Sequence, residues 1–509
     1  MNLKVHALTS MGTRWFKIGI HMILGFLLAP YILHRLGDYA FGLYFLILSL
    51  TGYYGLLDFG IRSSVVRYVA RFHATGEQDS LNRFLSTAFF TYSLVACISV
   101  VITAVGVTYV DSIFHIAPGF LVSARILFLM CGAAIALSFP LGVFEGAMEG
   151  LQKFPSMDLI QLAKSLLRAL LVVLALSNGL GLLTIALISV GLGVLVGVVY
   201  TIVVFRSIPL RISWKLVDRP SLKLMVNYSL PTFFIGLGDR LRSSLDATVI
   251  GIFMSSSAIT YFSIGGKLVS YGNRFAGGMN DVFTPMSAHF DAAGNTEGLR
   301  KVLLHGTRAC ALMTFPISAM LILLGKPLIA LWMGARYVQL SYPVLAVLAA
   351  GSALYTIQGP SFRILYGMAR HAWLAYVRFA EGVTVLLLCI FLVHRFGILG
   401  VALGTAIPLT CSSLLFYPIH LCRLLKTSLV QYFTSAYLLP LGLCVPMIIA
   451  VAALRRLLPT LSYSTLAVQI AGGAAAYGIV FGWFFFTREP FGIQIRRRTT
   501  QYLRQASLR

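Results

Sequence analysis

Apolar runs of about twenty residues follow one another along almost the whole chain. A run of roughly 20 apolar residues is what a helix needs to cross a bilayer. About fourteen fit into the 509 residues, near 15–35, 41–70, 84–109, 120–147, 156–177, 181–205, 223–253, 257–289, 299–324, 340–366, 372–394, 397–421, 432–455 and 464–486. No room is left for a sizeable soluble domain. Charged residues make up 11%, against roughly 25% in soluble domains. Polar side chains are too few to cover a surface facing water, so lipid must cover much of it. In lipid every backbone polar group has to be satisfied internally. The expected fold class is therefore all-α, a polytopic membrane protein. The basic start (Lys4, Arg14, Lys17) precedes an apolar stretch without a small-residue cleavage site, which reads as a first transmembrane helix rather than a signal peptide.

The 40 Lys and Arg face only 16 Asp and Glu, a formal net charge of +24. In a soluble chain that excess would suggest nucleic acid; here no nucleic-acid partner is expected, because cytoplasmic loops of membrane proteins are enriched in Lys and Arg. With the N-terminus inside and the spans alternating, cytoplasmic loops and tails hold 23 of the 40, including Arg206, Arg211, Lys215, Arg219 and Lys223. The external side holds six: Arg35, Lys326, Arg336, Arg395, Arg455 and Arg456. This asymmetry puts both termini in the cytoplasm.

A repeat divides the chain. At an offset of 218 residues, Phe72–Gly76 falls on Phe290–Gly294, Asp79 on Glu297, Leu81 on Leu299 and Arg83 on Lys301; upstream, Ala40 meets Ala258, Tyr53 meets Tyr271 and Gly60 meets Gly278. Six spans separate the copies, an even number, so both keep one orientation. Two parallel six-helix lobes about an axis along the membrane normal follow. The expected organisation is an N-terminal lobe at 1–205, a cytoplasmic linker at 206–222, a C-terminal lobe at 223–424, two further helices at 425–486 and a basic tail at 487–509.

The remaining eleven cations lie inside the spans: Arg62, Arg125, Lys164, Arg168, Arg240, Arg242, Lys267, Arg274, Arg308, Arg363 and Arg378. Each costs at least roughly 2.5–3.5 kcal/mol near the bilayer centre. Arg125, Arg308 and Arg378 lie near span ends and are the first expected to snorkel. Spacing suggests local pairing of Asp58 with Arg62, of Arg242 with Asp239 and Asp246, and of Arg378 with Glu381. Lys164 and Arg168 are four apart, like charges on one helix face. Lys267 and Arg274 are seven apart, again on one face, with Asp281 a further heptad on. Such faces have to look into a wet interior. Arg62, Lys164, Arg168, Arg240, Arg242, Lys267, Arg274 and Arg363 are the expected lining of a basic cavity for an anion. Asp58, Glu145, Asp239, Asp246 and Asp281 are the candidate acids for proton or sodium coupling. Pro231 and Pro285 flank the charged parts of helices 7 and 8 and are the first hinges to test.

Other patterns carry no chemistry. The seven cysteines stand singly, with no metal-type spacing, so neither disulfide nor metal is expected, and no cofactor. Asp58-Phe-Gly60 lacks the other kinase motifs. Gly193 and Gly197 read as close helix packing. No nucleophilic triad or HExxH occurs, so the chain is not expected to be an enzyme.

Leu36-Gly37, Phe41-Gly-Leu-Tyr44, Gly55-Leu-Leu-Asp-Phe-Gly60 and Val66-Arg-Tyr-Val-Ala70 resemble the polysaccharide-transport family. These are Wzx-type repeat-unit flippases of the multidrug/oligosaccharidyl-lipid/polysaccharide exporter superfamily. The resemblance implies two six-helix lobes, often with two extra C-terminal helices, and alternating access. It implies translocation of a polyprenyl-pyrophosphate-linked oligosaccharide across the bacterial inner membrane, with membrane lipids, a polysaccharide polymerase and chain-length proteins as partners. It transfers no binding residues; the basic cavity is read from the charges alone, as Arg and Lys suit a pyrophosphate. Two alternatives remain open. A cation-coupled multidrug exporter would favour unpaired acids over cations. A membrane polymerase or glycosyltransferase would need a larger external loop than 325–339.

Overall fold

The computed structural model describes residues 3–488 except 115, 244, 279, 281–282 and 369, and excludes the side chains of 3–18, 230–232, 234–235, 238–243, 371–372, 485 and 488. Among the described residues there are helices and turns and no strand. Eleven stretches are long and apolar enough to cross a membrane; one of them, Trp373–Leu424, runs for 52 residues and contains a sharp bend at Gly397.

The first half comprises α1 (Leu3–Leu36), α2 (Asp38–Gly52), α3 (Ile61–Thr75), α4 (Gln78–Ile113), α5 (Leu121–Gly150), α6 (Phe154–Ser177) and α7 (Leu182–Ser207). After the connection come α8 (Arg219–Ser243), α9 (Leu245–Phe253), α10 (Ser256–Gly277), α11 (Phe283–Ala292), α12 (Thr296–Lys301), α13 (Thr307–Trp332), α14 (Val338–Ile357), α15 (Gly359–Gly367) and α16 (His371–Cys411). The chain ends in α17 (Tyr417–Leu424), α18 (Leu429–Phe433), α19 (Leu439–Leu457) and α20 (Tyr463–Arg488). Three π-helical turns, Val302–Gly306, Ser412–Phe416 and Thr434–Leu438, precede α13, α17 and α19.

The 218-residue offset reappears in the backbone. α2 starts at Asp38 and α10 at Ser256; α4 starts at Gln78 and α12 at Thr296. The turns before α4 and α12 are built alike. Gly76 (φ 72°) and Gly294 (φ 63°) are both left-handed. In each turn the following N–H bonds back to a Phe carbonyl, Glu77 to Phe72 at 3.0 Å and Asn295 to Phe290 at 2.8 Å. That is the Schellman closure, which requires a left-handed residue and so selects glycine.

Two long spans expected from the sequence are broken, at the same offset. The helix expected at 41–70 stops where Phe59 (φ 47°) and Gly60 (φ 75°) turn left-handed, and α3 restarts at Ile61. The helix expected at 257–289 divides into α10 and α11. Pro285 sits in the first turn of α11, where its missing N–H costs nothing; the side chain of Pro231 lies outside the described residues. A non-glycine residue in the left-handed region costs about 1–3 kcal/mol and is held in place by its surroundings.

Contacts group the chain into two compact units, Met1–Ile264 with Arg370–Pro408, and Gly265–Ala369 with Leu409–Arg509. In the first, α3 lies directly on α5: a methyl carbon at Gly150 would come within 2.8 Å of the Val66 carbonyl, and one at Gly146 within 3.0 Å of Val65. Small residues four apart let two helices approach this closely. Of the pair expected to pack, Gly197 does touch Leu141, whereas Gly193 faces open space. In the second unit the break between α14 and α15 is held by Gln358, fully buried. Its amide donates to the Ser413 carbonyl and the Tyr437 hydroxyl, both at 2.7 Å, and accepts from Ser361 at 2.7 Å and Tyr432 at 3.3 Å. Every hydrogen-bonding position of that amide is used, which is what makes its burial tolerable.

Candidate functional site

The break at Phe59–Gly60 places Arg62 in the first turn of α3, facing the last two turns of α5. There Glu145 and Glu149 stand four residues apart on one face and would repel each other alone. Arg62 Nη2 lies 2.9 Å from Glu145 Oε1 and 2.7 Å from Glu149 Oε1. Arg62 thus draws its partners from across the chain, not from Asp58 as spacing suggests. Asp58 accepts a hydrogen bond from the Tyr92 hydroxyl on α4. The Arg62 side chain is 39% exposed and both glutamates 29%, so the cluster borders an accessible space rather than a sealed core.

α6 continues this polar strip inward. Gln161, Lys164, Ser165 and Arg168 follow at i, i+3, i+4 and i+7, one helix face. Gln161 donates to the buried Tyr200 hydroxyl at 3.0 Å, and Ser165 lies 3.2 Å from His21 Nδ1. Lys164 is half-buried and within coulombic range of both Glu145 and Arg168. At 1.5 Å per residue from Phe154, Lys164 lies about 15 Å and Arg168 about 21 Å along the axis. The charges therefore climb from the α5–α6 turn to about half or more of a roughly 30 Å hydrocarbon layer.

Arg168 has the most distinctive surroundings. Its Nε donates to Ser189 Oγ on α7 at 3.2 Å, and its Nη2 to the Tyr44 hydroxyl on α2 at 3.5 Å. The Ser189 hydroxyl proton is committed to the Ile185 carbonyl at 2.9 Å, which turns an oxygen lone pair toward the guanidinium. These hydroxyls orient Arg168 without neutralising it. Guanidinium donors left over on such a group are suited to phosphate oxygens.

The other candidate residues fall elsewhere. In the first unit Asp246 accepts from Thr405 Oγ1 at 2.8 Å, joining α9 to α16. In the second unit Lys267 and Arg274 lie on α10 and Arg363 on α15; Lys267 and Arg363 are half-buried and Arg274 is exposed. The side chains of Asp239, Arg240 and Arg242, and the whole of Asp281, lie outside the described residues. Of the cations expected to snorkel, Arg125 pairs with Asp111 at 3.1 Å and Arg308 donates to the Ser435 carbonyl at 2.9 Å.

The structure thus brings Arg62, Glu145, Lys164 and Arg168 together. It adds Glu149, Tyr44, Tyr92 and Ser189, neutral or boundary residues whose role no local spacing signals.

Within the second unit, α13, α19 and α20 enclose a cavity of about 850 Å³. Its walls are apolar, with Leu312, Ile317, Leu324, Met447, Ile470 and Phe481 among them; His305 and Arg308 stand at one end. A cavity this large and apolar is of a kind that holds a hydrocarbon chain.

Comparison with known proteins gives a consistent picture. A family described as polysaccharide biosynthesis protein matches residues 32–342. The chain is 20% identical over 414 residues to the uncharacterized membrane protein EpsK of Bacillus subtilis, covering 80% of this chain and 81% of that one. It is 23% identical over 200 residues to the probable low-salt glycan biosynthesis flippase Agl15 of Haloferax volcanii, 39% of this chain and 42% of that one. Its fold matches the lipid II flippase MurJ in an inward closed conformation with a TM-score of 0.71 at 15% identity, over 92% of this chain and 98% of that one.

Proposed function

The chain belongs to the polysaccharide biosynthesis protein family, and from that membership we propose that it is a flippase for a polyprenyl-pyrophosphate-linked oligosaccharide. It works by alternating access in the bacterial inner membrane, with both termini cytoplasmic, and supplies surface polysaccharide assembly. A polymerase and chain-length proteins act on its product.

The observation that carries this reading is Arg168, a cation deep along α6 whose described bonds go to Ser189 and Tyr44 alone. A pyrophosphate entering at the α5–α6 turn meets Lys164 first and Arg168 next. The Arg62–Glu145–Glu149 cluster stands at the entrance with two carboxylates on one guanidinium, so it has no spare positive charge to trap the anion there. The apolar cavity beside α13 supports a second part of the reading, a place that suits the polyprenyl chain. Transport by such a cycle needs an energy input. Asp246, with a hydroxyl as its hydrogen-bond partner, is the acid best suited among the described residues to take up a proton or sodium ion.

Arg168→Ala tests the reading. Expected are normal insertion and abundance, loss of surface polysaccharide, and undecaprenyl-linked repeat units accumulating toward the cytoplasm. Unchanged surface polysaccharide would remove Arg168 from the transport path. Asp246→Asn separates coupling from binding: gradient-driven uptake into vesicles should fall while the binding of substrate persists.

A further inference from the structure

Toward the other end of α13 lies a second cavity of about 350 Å³, with polar and charged residues in its lining. The two interleave along the same helices: Leu328 and Ile470 line the first, Lys326, Ala330, Leu466 and Gln469 the second. From Arg308 to Lys326 is about 27 Å along α13, close to a hydrocarbon thickness of roughly 30 Å. The apolar cavity therefore has a cation at each end, one per membrane face.

The polar cavity is lined by Lys326, Arg455, Thr460, Ser462, Thr465 and Gln469, with apolar residues between them. Lys326 Nζ sits 5.1 Å from the Tyr342 ring centroid, and Arg455 Nη1 donates to the Leu323 carbonyl at 3.2 Å. Gln469, 5% exposed, donates to the Leu458 carbonyl at 3.2 Å. These partners hold the side chains in place and leave both positive charges intact.

The sequence makes those charges harder to dismiss. Between Glu297 and Glu489 the only acidic residue is Glu381, which belongs to the other unit. No carboxylate lines the cavity. On the expected topology the face opposite the basic loops carries only six cations, yet Lys326 and Arg455 line this one cavity and Arg336 and Arg456 lie within two residues of its lining. A face that positive-inside sorting depletes of Lys and Arg would not gather them here without an anion to meet. That anion has to come from outside the chain, at the level of the lipid headgroups.

We propose that this cavity is the docking site for the diphosphate head of a polyprenyl lipid in the leaflet opposite the basic loops, with the polyprenyl chain lying in the apolar cavity. The choice of polyprenyl lipid over bilayer phospholipid rests on the flippase reading; the anion site does not. Lys326 and Arg455 supply the charge, and the hydroxyls of Thr460, Ser462 and Thr465 supply hydrogen bonds to phosphate oxygens.

The test places a photo-crosslinking residue at Leu461 in the full chain, reconstituted with undecaprenyl diphosphate or, in parallel, phosphatidylglycerol. An adduct with undecaprenyl diphosphate is expected. It should fall roughly tenfold or more in the Lys326→Gln/Arg455→Gln protein and survive in Lys326→Arg/Arg455→Lys, which keeps both charges. If the double neutralisation impairs folding, Arg455→Gln alone, at an exposed position, should still lower the adduct. An adduct indifferent to neutralisation overturns the site. A stronger adduct with phosphatidylglycerol overturns the assignment to polyprenyl cargo. The probe carries no sugar and needs no transport, so it succeeds or fails independently of the Arg168→Ala experiment.

Discussion

The two copies of the repeat treat the same position in opposite ways. In the first, Arg62 holds Glu145 and Glu149 in an ion cluster open to water, and Tyr92 holds Asp58. At the same offset in the second stand Asn280 for Arg62, Cys310 for Tyr92, Ala276 for Asp58, Arg363 for Glu145 and Gly367 for Glu149. There Cys310 Sγ donates to Asn280 Oδ1 at 3.0 Å, and Gly359 lies so close that a methyl carbon on it would come within 2.1 Å of Asn280 Nδ2. One copy sets two acids on one cation; the other has no acid at these positions, carries a cation, Arg363, where the first has Glu145, and is tightly packed around Asn280. The shared backbone thus does not require the acid pair or the Arg62 cation at this place. The acid pair that only one copy keeps points to a role in the path beyond what the shared backbone needs.

Exchanging residues between copies tests that conclusion. The largest effect is expected at Arg168, whose counterpart is Leu386. Arg168→Leu should weaken binding of a pyrophosphate lipid by roughly 10- to 100-fold, the worth of about 1.5–3 kcal/mol of charge-assisted contact. Thermal stability should hardly change, because the exchange also removes a desolvated charge. Equilibrium binding of undecaprenyl diphosphate measures the first and a melting curve the second. Unaltered binding would make the two copies equivalent here.

Next comes Arg62→Asn, which gives the first copy the second copy's residue. Glu145 and Glu149 then face each other without a cation. Breaking a buried pair costs about 3–5 kcal/mol, and partial exposure reduces this to roughly 1–3 kcal/mol. Adding Glu149→Gln should restore most of that stability by removing the repulsion. If Arg62→Asn is as stable as the natural protein, the cluster is solvated ornament and the contrast between the copies loses its meaning.

How far the sequence reveals this contrast depends on range. Span lengths, the all-helical class and the repeat show because hydrophobic length and a matched pentapeptide are local signals. Lys164 and Arg168 stand out because i, i+4 spacing puts like charges on one face. The partners of Arg62 do not, since Glu145 and Glu149 arrive from 83 and 87 residues away through the packing of α3 on α5. Ser189 and Tyr44 look like ordinary residues of apolar helices until tertiary structure sets them beside Arg168. The break at Phe59 is masked because an apolar residue there continues the hydrophobic run from which a span is read. Lys326 and Arg455 are visible from the sequence only as exceptions to a charge rule; that they share a cavity needs the fold.

The sealed copy makes its own demand. Gly359→Ala should cost about 1–3 kcal/mol by overpacking, because the whole Asn280 amide would have to leave its place beside Cys310. The first copy carries Leu141 at that offset, so the same backbone site already accepts a large side chain there. Leu141→Ala should instead leave a gap beside Gly197, which a Leu141 methyl now fills. Opposite signs of size change destabilising the two copies would show that each is packed for its own role.

A last pair of variants separates hydroxyl from thiol. Tyr92→Phe leaves Asp58 without its donor and, as loss of a hydrogen bond to a charged group, should cost roughly 1.5–3 kcal/mol. Cys310→Ala removes only a weak S–H donor and a sulfur-sized volume, and leaves Asn280 an amide with other bonding options. It should cost about 1 kcal/mol or less. Chemical denaturation of both variants in one detergent gives the ratio. A Cys310 variant as damaging as the Tyr92 one would mean the second copy relies on this bond as heavily as the first. The Cys310–Asn280 bond would then be an independently selected polar contact rather than simple closure of a site the first copy keeps open.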